Sequence, residues 1–460
     1  MRATSLEFLA EACGGRLLGN TQQKVLDVKI DSRQASLGDL FVCVIGEFND
    51  GHDYAEDALE GGCTMFLMSR QDVAESMVAE HGEAAVILAE DTVKAFEDMA
   101  SAYLGQFDVR RAAVTGSVGK TTTKMLTAAV LGEKYNTICT KKNLNTNLGL
   151  CLTCFLADES TQAVVFEMGM DARNQISEYV RFIRPEVAII TNVGVSHMER
   201  LGSRDAIADA KLEIVEQFTP ANTLVVNAKS DYLKTEEEIR TRAVNKTGFA
   251  IELVSAPEEI VNKGLDGVEF VYEGQNYFLP IPGEHNVTDA VLAITAGRCL
   301  GVDAASAAEG LAKVESTERR LKVEQIGNIT LLDDSYNASP DSMKAGLAAL
   351  ASAKGKRKIA VLSDMYELGD AEEEGHLEVG RVAGEKNINL LIAVGENSSL
   401  YSAGVSASGS KVCNVIELET KESAGELVLQ ILREGDVVLV KGSNGTKISE
   451  VAEKIRNEYE

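Results

Sequence analysis

The sequence predicts an α/β protein of three domains: a small N-terminal α/β unit, a central parallel-sheet domain and a C-terminal Rossmann-like domain. Three observations carry that expectation. At 460 residues the chain is too long for one ordinary hydrophobic core, which stops growing near about 250–300 residues. Apolar runs of strand length recur along it, and helical patterns follow them, as in sheets of parallel strands joined by crossover helices. The runs stop at Gly-rich or polar segments, and ligands gather beyond the carboxyl ends of parallel strands.

The first region is expected over residues 1–83. Short strands are predicted at 40–45 and 64–68, with a helix at 53–60 between them. The loop 46–52 and the cluster Asp31-Ser32-Arg33 are its polar features. The central region, 84–312, has strand-like runs at 111–115, 163–166 and 187–191. The last region, 313–460, repeats the theme with runs at 329–332, 358–362, 390–394 and 437–440 and helices near 339–353 and 372–386.

Composition excludes several functional classes. A hydrophobic share of 45% and a charged share of 25% are those of a globular protein. Lys and Arg total 45 against 71 Asp and Glu, a net charge of −26, which repels nucleic acid and anionic membranes. An anionic substrate must then be met by backbone amides, a few placed cations or a metal. The N-terminus has no signal-peptide pattern, and no apolar stretch approaches the roughly 20 residues that span a bilayer. The eight Cys follow no disulfide spacing, as expected of a reducing cytoplasm. Cys151 and Cys154 are expected to be half-buried thiols one helical turn apart, without a function.

The sharpest motif is Thr115-Gly116-Ser117-Val118-Gly119-Lys120-Thr121-Thr122-Thr123, between a strand and the helical pattern 124–131. Glycines let backbone N–H groups curl around phosphate oxygens, and the helix N-terminus adds its positive end. Lys120 would reach the β- and γ-phosphates, and the Thr121 hydroxyl would hold Mg²⁺. The longer form of this loop has a further Gly where this chain has Val114.

The second central strand ends at Glu167, placed to bind a metal or its water if the strands are neighbours. The third ends in Thr191-Asn192-Val193-Gly194-Val195-Ser196-His197, where His197 is a candidate metal ligand. Lys211, in a helical stretch, reads on its residues alone as a surface lysine. Gly283-Glu284-His285-Asn286 opens the apolar helix 287–300, either as a cap or as a nucleotide contact. Arg319 and Arg320 stand where a cation could close over phosphates. Asp333-Asp334-Ser335-Tyr336-Asn337, Asp364 and Lys441-Gly442-Ser443-Asn444 end strands of the last region. Polar clusters thus crowd one edge of each sheet, as a cleft between two closing domains requires.

Together these segments resemble the Mur ligase family over essentially the whole chain. Residues 115–122 match its phosphate loop, normally in the shortened form. The resemblance implies that Gly116, Ser117, Val118, Gly119, Lys120, Thr121 and Thr122 bind ATP with Asn286, Arg320 and Asn337. It implies two Mg²⁺ ions served by Thr121, Glu167 and His197, and a carbamate carried on Lys211. Lys120, Lys211 and His197 would be the catalytic group.

Residues 334–340 and 364–369 look like the branch of the family that adds D-alanyl-D-alanine, and the first region like its UDP-binding domain. The implied partners are UDP-N-acetylmuramoyl-tripeptide and D-alanyl-D-alanine, met by Ser32, Arg33, Asn145, Thr146, Asp334 and Tyr336. A monomer is expected, with no nucleic acid and no membrane insertion. Two departures stand out: Thr146 and Asp289 occupy positions where Asn is usual. The nearest rivals are a relative adding a single amino acid and a folylpolyglutamate-type synthetase. A rival from another class is a nucleotide-gated scaffold for which ATP hydrolysis is only a switch.

Overall fold

The structure, a computed structural model, describes residues 1–195, 198–316 and 319–459. Three major sheets organise it. The first has five strands in the order Arg16–Leu18, Ala85–Leu88, Met65–Met68, Asp39–Val42, Asp27–Lys29, parallel apart from its first pair. Ala85–Leu88 belongs to this sheet, so the expected division at 83/84 falls just before a strand that the sheet needs. That strand pairs with Met65–Met68 on one side and Arg16–Leu18 on the other, and its backbone groups are satisfied there. The helix Thr92–Leu104 follows, and its Phe96 and Tyr103 pack on Phe155, joining the first core to the central one.

The central sheet has six parallel strands in the order Ala250–Val254, Thr223–Asn227, Val187–Ile190, Arg110–Thr115, Ala163–Glu167, Thr137–Cys139. Its strands read as continuous apolar runs because helices cover both faces. Side chains alternate accordingly. Ala113, Phe166 and Ile190 enter one core, while Val114, Val165 and Ile189 enter the core on the opposite face. The three runs read from sequence are the three inner strands around the phosphate loop. The flanking ones, together with the antiparallel sheet Ile260–Asn262, Val268–Tyr272, Gln275–Leu279, carry weaker signals.

The C-terminal sheet also has six strands, in the order Lys322–Ile326, Ile329–Asp334, Asp436–Lys441, Arg357–Ser363, Leu390–Val394, Asn414–Leu418. Only the edge strand Lys322–Ile326 runs antiparallel. Leu332, Leu362 and Leu439 face one core and Leu331, Val361 and Val440 the other, so this sheet too is covered on both sides. No described helix is long and apolar enough to cross a membrane.

Candidate functional site

Strand order builds the site. Arg110–Thr115, which launches the phosphate loop, lies between Ala163–Glu167 and Val187–Ile190. Glu167 sits opposite Val114 and Ile190 opposite Thr115, so all three strand ends converge on the loop. This is a point where successive connections leave in opposite directions, the crevice such sheets offer to ligands.

The loop is held by the segment after Ile190. Ser117 N–H donates to the Asn192 carbonyl at 3.1 Å, and Val118 N–H to Asn192 Oδ1 at 3.0 Å. Thr191 Oγ1 and Asn192 Nδ2 both donate to the Val118 carbonyl, at 2.5 and 3.0 Å. Gly194 N–H donates to Ser117 Oγ at 2.8 Å. Gly116 cannot carry a side chain: a Cβ there would lie 1.8 Å from Thr191 Oγ1. Gly119, at φ +85°, turns the chain into the helix Lys120–Gly132.

Lys120 folds back over this loop, donating to the Gly116 carbonyl at 2.7 Å and the Ser117 carbonyl at 3.2 Å. Burial pulls its ammonium down to about 8, against the attraction of Glu167. Thr121 Oγ1 donates to Glu167 Oε1 at 2.9 Å, and Asn145 Nδ2 donates to the same oxygen at 3.1 Å. The other oxygen, Oε2, lies 3.2 Å from Lys124 Nζ but accepts no aligned hydrogen bond. Burial would raise the Glu167 carboxyl; Lys124, Arg320 and Lys120 outweigh it and hold the group below its ordinary value.

The C-terminal domain supplies the opposite wall. A cavity of about 820 Å³ is shared by Lys120, Glu167, Asn286, Arg320, Asp334 and Asn337, which come from both sheets. The Arg320 guanidinium lies over the Tyr336 ring, 4.1 Å from its centre. Asn286 is buried and donates through Nδ2 to the Pro282 carbonyl at 2.8 Å. Lys441 Nζ binds Asp334 Oδ2 at 2.7 Å and donates to the Asn337 carbonyl at 2.9 Å, tying together strands that are register partners at Asp334 and Lys441.

Most residues expected from sequence meet here. Gly119, Ser117, Val118, Thr122, Asn145, Thr146 and Tyr336 also line the cavity. Ser32 and Arg33 do not. They form a short 3₁₀ turn, Ser32–Gln34, in the first domain, where Arg33 pairs with Asp31 at 2.8 Å and its side chain is mostly exposed. His197 and Ser196 lie outside the described residues.

Lys211 corrects its surface reading: the helix Arg204–Leu212 turns it inward, and only 1% of it is exposed. Desolvation, helped by the charge of Lys120, drives its ammonium well below its ordinary value. No carboxylate among the described residues pairs with it. Cys151 and Cys154 are fully rather than half buried, and burial pushes the Cys154 thiol up to about 12. Sequence reading passed over Lys124. Its spacing of four residues from Lys120 on one helix was the available signal.

A phosphate loop on a parallel sheet, faced across a cleft by cations of a second doubly wound domain, defines a nucleotide-dependent α/β enzyme with a site between two domains. Comparison with known proteins narrows the class. The Mur ligase family's catalytic domain matches residues 24–106, the Mur ligase middle domain 114–297, and the Mur ligase glutamate ligase domain 319–444. The chain belongs to the Mur ligase family. It is 35% identical over 459 residues to the UDP-N-acetylmuramoyl-tripeptide--D-alanyl-D-alanine ligase of Bacillus subtilis, covering 98% of both chains. The ligase of that name from Escherichia coli is 32% identical over 466 residues, covering 99% of both. A crystal structure of MurF from Acinetobacter baumannii aligns over 99% of both chains at 27% identity with a TM-score of 0.86. A MurF ligase from Thermotoga maritima in complex with ADP aligns over 95% of this chain and 98% of its own, at 25% identity and a TM-score of 0.77.

Proposed function

We propose that this protein is an ATP-dependent ligase that joins D-alanyl-D-alanine to the terminal carboxylate of UDP-N-acetylmuramoyl-tripeptide in peptidoglycan precursor synthesis. The observation that carries the reading is likeness along the whole chain to ligases of that name, the first domain included. The described cleft fits the chemistry, because it sets a phosphate loop opposite a second polar wall with room for nucleotide and acceptor.

A free carboxylate is a poor electrophile, since its two oxygens share a negative charge. In the proposed first step a tripeptide carboxylate oxygen attacks the γ-phosphorus of ATP, and the bond to ADP breaks. In the second, the amine of D-alanyl-D-alanine attacks the acyl carbon, phosphate leaves with the bonding pair, and the amine gives up a proton. Lys120, released from the Gly116 and Ser117 carbonyls, would neutralise charge on the transferring group, and Arg320 would approach from the other domain. Closure of the cleft would keep water from the acyl phosphate.

The residues present fit Mg²⁺. Thr121 and Glu167 offer hard oxygen donors on the cavity wall beside the phosphate loop, with Glu167 Oε1 turned toward the Thr121 hydroxyl. Thr121 and Glu167 would hold the metal, with His197 and a carbamate on Lys211 completing a two-ion site. Bound Mg²⁺ would supply charge neutralisation of the phosphates. Burial also suits Lys211 to carbamate formation, since the neutral amine can attack CO₂, forming the N–C bond and releasing one proton. Ser32 and Arg33 would meet the UDP moiety. A monomer completes the reading, and the water-soluble nucleotide substrates suit the cytoplasm.

The test is phosphate release from ATP with UDP-N-acetylmuramoyl-tripeptide, with and without D-alanyl-D-alanine. Release that needs both, with a pentapeptide product by mass, is expected. Release with a single amino acid and a shorter UDP-peptide would move the protein to another branch of the family. Acceptor-independent hydrolysis would make it a switch.

A further inference from the structure

Lys124 is a buried cation that never meets the cleft. It lies one helical turn beyond Lys120, is 1% exposed, and is absent from the cavity wall that Glu167 helps to form. Its Nζ stands 3.2 Å from Glu167 Oε2, behind the carboxylate as seen from the nucleotide cavity. The two carboxylate oxygens are used differently. Oε1 accepts from the Thr121 hydroxyl and the Asn145 amide, while Oε2 faces Lys124 without an aligned hydrogen bond. Lys124 is therefore held near Glu167 mainly by charge.

The charge balance has a consequence for binding order. Lys124, Arg320 and Lys120 all act on Glu167, so its single negative charge is outnumbered. In a buried, poorly solvated site the repulsion between an ammonium and an arriving divalent ion is weakly screened. A polyphosphate brings several negative charges and offsets the three cations that act on Glu167.

We propose that Lys124 is a positioning residue whose charge, set behind Glu167, keeps the nucleotide-free site from holding a divalent cation, so that metal and nucleotide bind together. The proposal rests on the reading of Glu167 as a metal ligand. It explains why a metal-binding carboxylate is paired with a lysine that cannot reach the phosphates: the pairing offsets the cost of a lone buried charge while the site waits empty.

The test uses Mn²⁺ as the probe, followed by electron paramagnetic resonance on the full chain. Without nucleotide, wild type should bind Mn²⁺ no more tightly than Glu167→Gln. Lys124→Met and Lys124→Gln should each tighten nucleotide-free Mn²⁺ binding by at least about tenfold, while Lys124→Arg, which keeps the charge, should stay as weak as wild type. A merely structural role predicts the opposite sign, because a damaged site loses affinity. Unchanged affinity in folded Lys124→Met or Lys124→Gln overturns the proposal. So does tight, Glu167-dependent Mn²⁺ binding by wild type without nucleotide, a measurement that needs no Lys124 variant to fold. With ADP present, Glu167→Gln should hold Mn²⁺ more weakly than wild type. Equal binding there would remove Glu167 from the metal and overturn the underlying reading instead.

Discussion

The Asp289 carboxyl packs directly on Gly119, so closely that a Cβ added to the glycine would come within 2.7 Å of Oδ1. The bend that turns the phosphate loop into its helix is thus backed by a buried acid from the helix His285–Cys299. Desolvation pushes that carboxyl up to about 8, with the neighbouring Thr123 hydroxyl opposing the rise. An acid held neutral here leaves the field over the loop favourable to phosphate.

A stability change with pH follows. Between about pH 4 and 8 the folded state keeps a proton that the unfolded chain, with an ordinary value of 3.8, has already released. Stability should fall as pH rises through that window and level off above it. Asp289→Asn has no such cost, so its melting temperature should exceed that of wild type by about 2–4 °C at pH 7.5, with a smaller gap at pH 5. Calorimetry at both values checks this, and a gap independent of pH would remove Asp289 as the cause.

Lys120→Ala should lower kcat by at least about 10²–10³-fold while leaving the circular dichroism spectrum unchanged. In the free enzyme the ammonium titrates near 8 and is the form that receives phosphate. The kcat/KM for ATP should therefore decline above pH 8. Lys120→Arg, always charged, should abolish that alkaline limb at a lower overall rate. Persistence of the same limb in the arginine variant would assign it to another group.

Lys211→Ala should lose activity by about 100-fold or more, and a small carboxylate such as acetate or formate should restore part of it. Wild type stripped of CO₂ should weaken and recover on adding bicarbonate. Full activity of Lys211→Ala would end the carbamate reading.

Lys441 and Asp334 form a pair in which the lysine side chain is only 3% exposed. Removing one member of a buried pair leaves the other uncompensated, so Lys441→Met should destabilise the protein by about 3–5 kcal/mol. Replacing Asp334 as well, as in Lys441→Met with Asp334→Leu, should recover much of that loss. Denaturant titration of the single and double variants measures both. Because the Lys441 ammonium also holds the Asn337 carbonyl, both variants should raise the KM for ATP.

Three of the four inner central strands were legible because parallel strands buried on both faces are written with apolar runs, here 112–114, 163–166 and 187–190. The phosphate loop was legible for the same local reason, as its glycines, lysine and threonines act within a few residues of one another. The first boundary was not. Ala85–Leu88 looks equally at home before or after a division, and only its pairing with Met65–Met68 assigns it to the first sheet.

The site residues divide along the same line. Residue types and spacing by themselves determined the α/β class, the loop that takes phosphate, and the polar strand ends where chemistry gathers. Tertiary structure decided which of those ends meet. It set Glu167 beside Thr121, brought Arg320 and Asn337 across the cleft, and kept Arg33 away from it. It also decided the surroundings of each lysine. Lys120, Lys124 and Lys211 are the same side chain in the sequence. One is folded over a loop near a value of 8, one is paired behind a carboxylate, and one is buried without a carboxylate partner among the described residues. Burial and distant charges set those differences, and both depend on contacts between segments far apart in the chain.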